Sequence, residues 1–151
     1  MKPRTCRDSV LESWKTVRVI EAMIKTNTAP VLYSIVPHAT GFARVPESLL
    51  LIFAVSVLEE ALKCLCAEGA FSAQRAELGA LMKASKDKVP WQDYRLIDQV
   101  RLRRNKVAHQ RKFLAEGQCS QDLSAIAKEL LAWRILASDF TGEYQVSSGG
   151  A

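Results

Sequence analysis

One apolar run, LLLIFAVSVL at 49–58, limits what this chain can fold into more than any other stretch. Pro46 suits the first position of a helix, Glu47 favours its positive end, and Gly69 marks its end, so a helix is predicted over 46–68. The run is apolar all round the helix but too short to cross a bilayer. It therefore predicts the central helix of a bundle, with neighbours packed on several sides.

Four further stretches repeat apolar residues every three or four positions, which is the spacing of an amphipathic helix. Gly, Pro and Ser separate these stretches. No stretch alternates apolar and polar residues in the way that requires a strand. The predicted fold class is therefore all-α, an antiparallel, up-and-down bundle of four to five helices. Besides the central helix, the predicted helices cover residues 9–26, 73–86, 90–108 and 120–139.

Polar residues at the edges of these stretches predict where the helices begin. Asp8 or Ser9 is suited to cap the first helix, and Glu12 lies where a capping box from Ser9 requires it. Ser72 and Ser120 are suited to cap the helices that follow them. Each cap would satisfy backbone N–H groups that have no partner inside their helix.

The length of 151 residues and the hydrophobic content of 48% fit one domain with one core. We predict a domain over 1–142 and a flexible tail over 143–151, which shows no periodicity. Pro30 interrupts the chain after the first helix, and 31–36 predicts a further helical piece. His38 lies in the turn that follows and is interpreted as a surface-loop histidine rather than a catalytic one.

Charge and cysteine content limit the partners and the compartment. The net charge of +5 permits an anionic partner such as nucleic acid without establishing one. The chain has four cysteines, which allow two disulfides in principle: Cys6, Cys64, Cys66 and Cys119. Cys64 and Cys66 point about 200° apart on the predicted helix, so they cannot hold one zinc ion together. No secretory signal is visible, and we expect buried, reduced cysteines in a cytoplasmic protein with no cofactor, metal or membrane segment.

Residues suited to chemistry are concentrated in RLRRNKVAHQRKF at 101–113. His109 carries an imidazole, which can give and take protons near neutral pH. Arg104 offers a permanently charged, planar fork of donors that suits a phosphate or a carboxylate. On a regular helix Asn105 and His109 share a face, whereas Arg104 and His109 lie about 140° apart. For those two to converge, either the helix loosens before His109 or a second copy of the chain supplies the missing half.

The six residues RNKVAH at 104–109 resemble the signature of the HEPN family of small helical domains. That signature is an Arg, four to six residues and a His, with a polar residue favoured after the Arg. The resemblance implies a metal-independent endoribonuclease of the toxin or defence type, acting as a two-fold homodimer in which both Arg–His pairs line one cleft. It assigns proton exchange to His109, stabilisation of phosphate charge to Arg104, and orientation of the site to Asn105.

The remaining basic residues of the segment would then hold the RNA backbone, in a manner weakened by salt. A cognate antitoxin protein is a further partner that the resemblance implies. One subgroup of HEPN toxins carries a Tyr two residues after the His, whereas Arg111 stands there in this chain. Control by nucleotide transfer to that Tyr is therefore in doubt. The backbone-binding residues expected from the resemblance are Arg101, Arg103, Lys106, Arg111 and Lys112.

A non-catalytic interpretation stays open beside this one. The helix macrodipole favours cations at a helix C-terminus whatever the protein does, and a histidine there can cap carbonyl groups. On that interpretation the chain is a dimeric helical module that binds a protein, a nucleotide or RNA. Glu59 and Glu60 are interpreted as the solvated end of the central helix, and the alternative is that one of them faces Arg104 across the bundle.

Overall fold

A computed structural model describes residues 3–26, 45–110 and 112–137. These residues contain no strand, and the predicted all-α helical bundle is confirmed. The predicted features at 27–36, the turn with His38 and the tail at 143–151 lie outside the described residues. The helices are α1 (Cys6–Lys25), α2 (Val45–Ala67), α3 (Leu78–Ser85), α4 (Tyr94–Gln110) and α5 (Gln118–Ala132).

The central position predicted for the apolar run is confirmed, because α2 packs against each of the other four helices. Leu51 and Leu58 of this helix are buried, and Trp14 of α1 and Leu130 of α5 are buried in the same core. Gly69 follows the end of α2 with a φ of +86°, a left-handed conformation that favours glycine. None of the helices in the described ranges has both the length and the apolar character needed to cross a membrane.

The first helix begins earlier than predicted, and its cap is a different residue. Thr5 is the N-cap, and its hydroxyl accepts a hydrogen bond of 3.2 Å from the backbone N–H of Asp8. The Asp8 carboxylate accepts one of 3.0 Å from the backbone N–H of Thr5 in return. Because this reciprocal pair satisfies both groups, the prediction that Asp8 or Ser9 caps the helix is wrong.

The helix predicted over 73–86 is shorter at its beginning, and Ser72 does not cap it. Helix α3 starts at Leu78, and Glu77 is its N-cap with no side-chain hydrogen bond to the helix. Phe71 and Leu78 are both buried at the two ends of the connection between α2 and α3. Because both side chains must reach the core, residues 71–77 form a non-helical connection although their sequence favours a helix.

The helix that carries the motif begins at Tyr94 rather than Pro90 because a carboxylate from another helix holds the preceding backbone. Glu129 of α5 is 1% exposed. Its Oε2 accepts the N–H of Gln92 at 2.9 Å, and its Oε1 accepts the N–H of Asp93 at 2.8 Å. Asp93 then caps the helix, since its Oδ1 accepts the N–H of Leu96 at 3.0 Å.

The last helix is shifted relative to the prediction at both ends. It begins at Gln118 after Gly117, which is the N-cap with a φ of +75°, and Ser120 lies inside the helix. It ends at Ala132, where the N–H of Ile135 donates to the carbonyl of Leu130 in a turn that closes the helix. The predicted continuation to 139 is therefore wrong.

The cysteines differ from the expected reduced set. Cys6 in the first turn of α1 forms a disulfide with Cys64 of α2, with their Cα atoms 5.8 Å apart, which suits a disulfide. The prediction that all the cysteines are buried and reduced is wrong for this pair. Cys66 and Cys119 are free, and burial raises the pKa of the Cys119 thiol to about 12. Cys119 therefore stays protonated at neutral pH.

Candidate functional site

The RNKVAH motif occupies the last two turns of α4, and its residues face different ways. Ile97 and Val100 are buried and define the side of α4 that faces the core. Arg104 and Val107 follow them at helical spacing, and both are partly buried. His109 lies on the opposite side and is exposed. The motif therefore presents its arginine towards the bundle and its histidine to solvent.

The geometry of α4 decides between the two ways in which Arg104 and His109 were expected to converge. The helix is α-helical without interruption through Gln110, one residue past His109. The alternative in which the helix loosens before the histidine is therefore wrong. The two side chains leave α4 about 140° apart, so one copy of the chain does not bring them together.

Arg104 opens onto a cleft of about 650 Å³. Its Nε is buried and has no hydrogen-bond partner in the described part of the chain. Glu59 lines the same cleft, where its ion pair of 3.1 Å is with Lys63 and not with Arg104. Of the two glutamates, Glu60 is the solvated one, since its side chain is 59% exposed. The cleft is lined by Glu59, Lys63, Arg75, Ala76, Glu77, Leu78 and Arg104.

The solvent side of α4 carries the rest of the motif. Asn105 lies one turn before His109 on the same side and is partly buried. Lys106 and Lys112 are exposed, and the N–H of Lys112 donates to the carbonyl of Lys106 at 3.4 Å just after the helix. Arg111 lies outside the described residues. The described surface around the histidine is therefore open and cationic.

Two arginines of the segment are engaged inside the protein. Arg103 binds Asp122 of α5 with both ends of its guanidinium, through Nε at 3.0 Å and Nη2 at 2.6 Å. The Asp122 side chain is 1% exposed, so Arg103 neutralises a buried carboxylate. Arg101 forms an ion pair of 2.8 Å with Asp98, one turn earlier on α4. The structure gives both arginines intramolecular partners in place of the free surface expected for contacts to RNA.

Two structural residues of α5 were missed by reasoning from the sequence. Asp122 and Glu129 are both buried, and they hold Arg103 and the backbone before α4 respectively. The signal was available, because carboxylates seven residues apart lie on one side of a helix. Both stand beside the apolar stripe of α5 that includes Leu123 and Ile126. Two acids in such a position require donors from elsewhere in the fold.

In the described ranges no group of three or more His, Cys, Asp or Glu side chains is arranged to hold a metal ion. Comparison of the chain with protein-family profiles, with curated proteins and with solved structures finds no match in any of them.

Proposed function

We propose that this chain is a metal-independent endoribonuclease, similar to the HEPN family, whose active site is completed by a second copy of the chain. The observation that supports it best is the lack of a polar partner for Arg104 and His109 in the described part of the chain. Neither side chain forms a hydrogen bond or an ion pair within the described chain, whereas the neighbouring Arg101 and Arg103 both do. The two residues suited to acting on a phosphodiester are the two left available for it.

The proposed reaction uses the substrate's own 2′-hydroxyl as the nucleophile. His109 takes the proton from that hydroxyl, and the oxygen attacks the adjacent phosphorus. Arg104 stabilises the charge that gathers on the phosphate oxygens. The bond to the 5′-oxygen breaks, that oxygen takes a proton from water, and His109 returns its extra proton to the solvent. The products are one strand ending in a 2′,3′-cyclic phosphate and one beginning with a 5′-hydroxyl.

A two-fold dimer supports this chemistry because the residues diverge on one helix. An isologous interface places the same surface of both copies face to face, so Arg104 of one copy can meet His109 of the other. Asn105, one turn before His109 on the same side, is placed to orient the substrate or the imidazole. Lys106 and Lys112 are the exposed cations that would hold the RNA backbone beside it.

The second candidate is a non-catalytic dimeric helical module that binds a protein, a nucleotide or RNA. The separation of Arg104 and His109 within one chain favours it, since a module of this kind needs no convergence of the two side chains. Its cationic surface would still bind an anionic partner in a way that salt weakens. The two candidates differ in whether the protein cleaves the RNA that it binds.

The test is cleavage of a single-stranded RNA by the purified protein in the presence of EDTA. We expect cleavage that leaves a cyclic phosphate and a 5′-hydroxyl, and that is lost in His109→Ala and in Arg104→Ala. Gln110→Ala is the matched control, because Gln110 is the exposed neighbour of His109 on the same helix. Cleavage that persists in both variants, or that EDTA abolishes, would overturn the proposal. Binding of RNA without any cleavage would favour the non-catalytic module.

A further inference from the structure

The cleft beside Arg104 gathers cations from three separate parts of the chain. Lys63 comes from the C-terminal part of α2, Arg75 from the connection at 71–77, and Arg104 from α4. The cleft is shallow and widely open to solvent, with a volume of about 650 Å³. These cations are distant in sequence, so their shared position results from the fold and not from one basic run.

Several hydrogen-bond donors at this cleft have no partner in the protein. Arg104 Nε is buried and unpaired, and Arg75 is exposed and forms no hydrogen bond or ion pair within the described chain. Helix α3 begins at the rim with Leu78, where Glu77 makes no side-chain hydrogen bond to the helix. The first N–H groups of a helix have no intrahelical partner and carry partial positive charge. Donors of three kinds therefore lack an acceptor at one cleft.

The carboxylates of the cleft do not accept hydrogen bonds from these donors. Lys63 pairs with Glu59 at 3.1 Å, and the hydrogen bond that its ammonium donates to the Glu59 carboxylate raises the pKa of Lys63. Lys63 also bonds to Glu60 at 3.2 Å, so Arg75 and Arg104 are the two cations of the lining that no carboxylate in the described chain holds. The guanidinium of Arg104 is not among the groups that these carboxylates hold. An acceptor-rich anion is the ligand that such a lining lacks.

We propose that this cleft binds a phosphate group, held by Arg104 and Arg75, with Lys63 and the first turn of α3 at its rim. The inference rests on the proposed function and deepens it, because it adds Arg75 as a binding residue outside the RNKVAH motif. A guanidinium fork matches two phosphate oxygens, and helix N-termini favour phosphate for the same electrostatic reason. The phosphate can come from the backbone of an RNA strand or from a free nucleotide.

The test is calorimetric titration at constant ionic strength with inorganic phosphate, with AMP, and with a short RNA made uncleavable by 2′-O-methyl groups. We expect at least one of these ligands to bind about tenfold or more weakly to Arg104→Gln and to Arg75→Gln. Arg95→Gln is the matched control and should bind as the wild type does, since Arg95 is an exposed arginine in the first turn of α4 that does not line the cleft. Loss with AMP as well as RNA indicates a nucleotide site, and loss with RNA alone indicates the strand backbone.

Equal affinity in all four proteins, or no binding of any ligand, would overturn the proposal. Circular dichroism identifies a variant that fails to fold, and Arg75→Gln then decides the result because Arg75 is exposed. The cleavage assay on the same proteins separates this inference from the proposed function. Binding in the cleft without RNA cleavage by the wild type would leave the phosphate site standing and remove the enzyme. Cleavage that depends on His109 without cleft binding would do the reverse.

Discussion

At its N-terminal end, α4 is held by buried groups of α5 and of the turn after α5, whereas at its C-terminal end the side chains around His109 are open to solvent. Glu129 accepts the backbone N–H groups of Gln92 and Asp93 just before the helix, and Trp91 packs edge-on against Trp133 with ring centroids 4.9 Å apart. His109, at the other end, is exposed. The closed end fixes where α4 starts, and Arg103 ties the second half of the helix to Asp122 of α5, so neither contact depends on His109. In the proposed function, the exposed groups of the open end bind the RNA.

The largest effect should come from the closed end. Trp133 is 4% exposed and contacts Trp91, so Trp133→Ala should lower the free energy of unfolding by roughly 3 to 5 kcal/mol through lost burial and a cavity. Chemical denaturation measures this change. Trp133→Phe keeps an aromatic ring and should cost less. A loss below about 1 kcal/mol for the alanine variant would mean that this contact does not fix the helix.

Arg103 sharpens the comparison, since it lies in the open half of α4 and yet has a structural partner. Arg103→Ala should cost roughly 1.5 to 3 kcal/mol because it leaves the buried Asp122 carboxylate without its charged donor. Arg104→Ala, one residue along, should cost less since Arg104 makes no ion pair in the described chain. The double variant Arg103→Met with Asp122→Leu should recover part of the loss. Equal costs for the two single alanine variants would contradict the distinction between these arginines.

Glu129 gives a smaller effect with a defined pH dependence. Glu129→Ala should cost roughly 1 to 3 kcal/mol because the N–H groups of Gln92 and Asp93 lose their acceptor. Burial raises the pKa of the Glu129 carboxyl, although the hydrogen bonds from Asp93 and Gln92 oppose this. A carboxyl with a raised pKa makes the folded state bind the extra proton, so its contribution to stability falls as the pH rises from the ordinary carboxyl range through the raised value.

Thermal unfolding of the wild type and of Glu129→Gln across that range checks the sign. The difference in stability should move in favour of the glutamine variant as the pH rises, because the variant has no proton to lose there. A difference that moves the other way would mean that the hydrogen bonds to the carboxylate outweigh its burial.

The smallest effect on stability should come from the open end. His109→Ala should change the free energy of unfolding by no more than about 0.5 kcal/mol, because the side chain is exposed and forms no hydrogen bond in the described chain. Gln110→Ala, its exposed neighbour, should behave in the same way. If His109→Ala were as damaging as Trp133→Ala, the histidine would be a structural residue and its assignment to the site would fail.

A helix boundary can be predicted from the sequence when the residues that determine it lie within or next to the helix. The apolar run at 49–58 and its flanking Pro46 and Gly69 predicted α2 to within a residue at each end, because these signals lie within the helix itself. The start of α4 could not be predicted in this way, since Glu129 acts on a backbone 37 residues away. Local pattern carries no information about such a partner.

The candidate site shows the same limit. Arg103 and Arg104 look equivalent in the sequence, and only the position of Asp122 in the fold separates the structural arginine from the available one. The helical spacing did predict that Arg104 and His109 diverge, and the uninterrupted α4 confirms it. Arg75 and Lys63 were not predicted as neighbours of Arg104, because the connection at 71–77 brings them together only in three dimensions.

The proposed sharing of one site between two copies of the chain is tested most directly by mixing two variants that should each be inactive. Arg104→Ala and His109→Ala should each fail to cleave RNA, whereas an equal mixture that exchanges subunits should recover about one quarter of the wild-type rate. Half of the dimers in that mixture are mixed, and each mixed dimer has one complete site. Light scattering must show the dimer mass for each protein. A mixture that exchanges subunits but stays inactive would contradict a site shared between two copies.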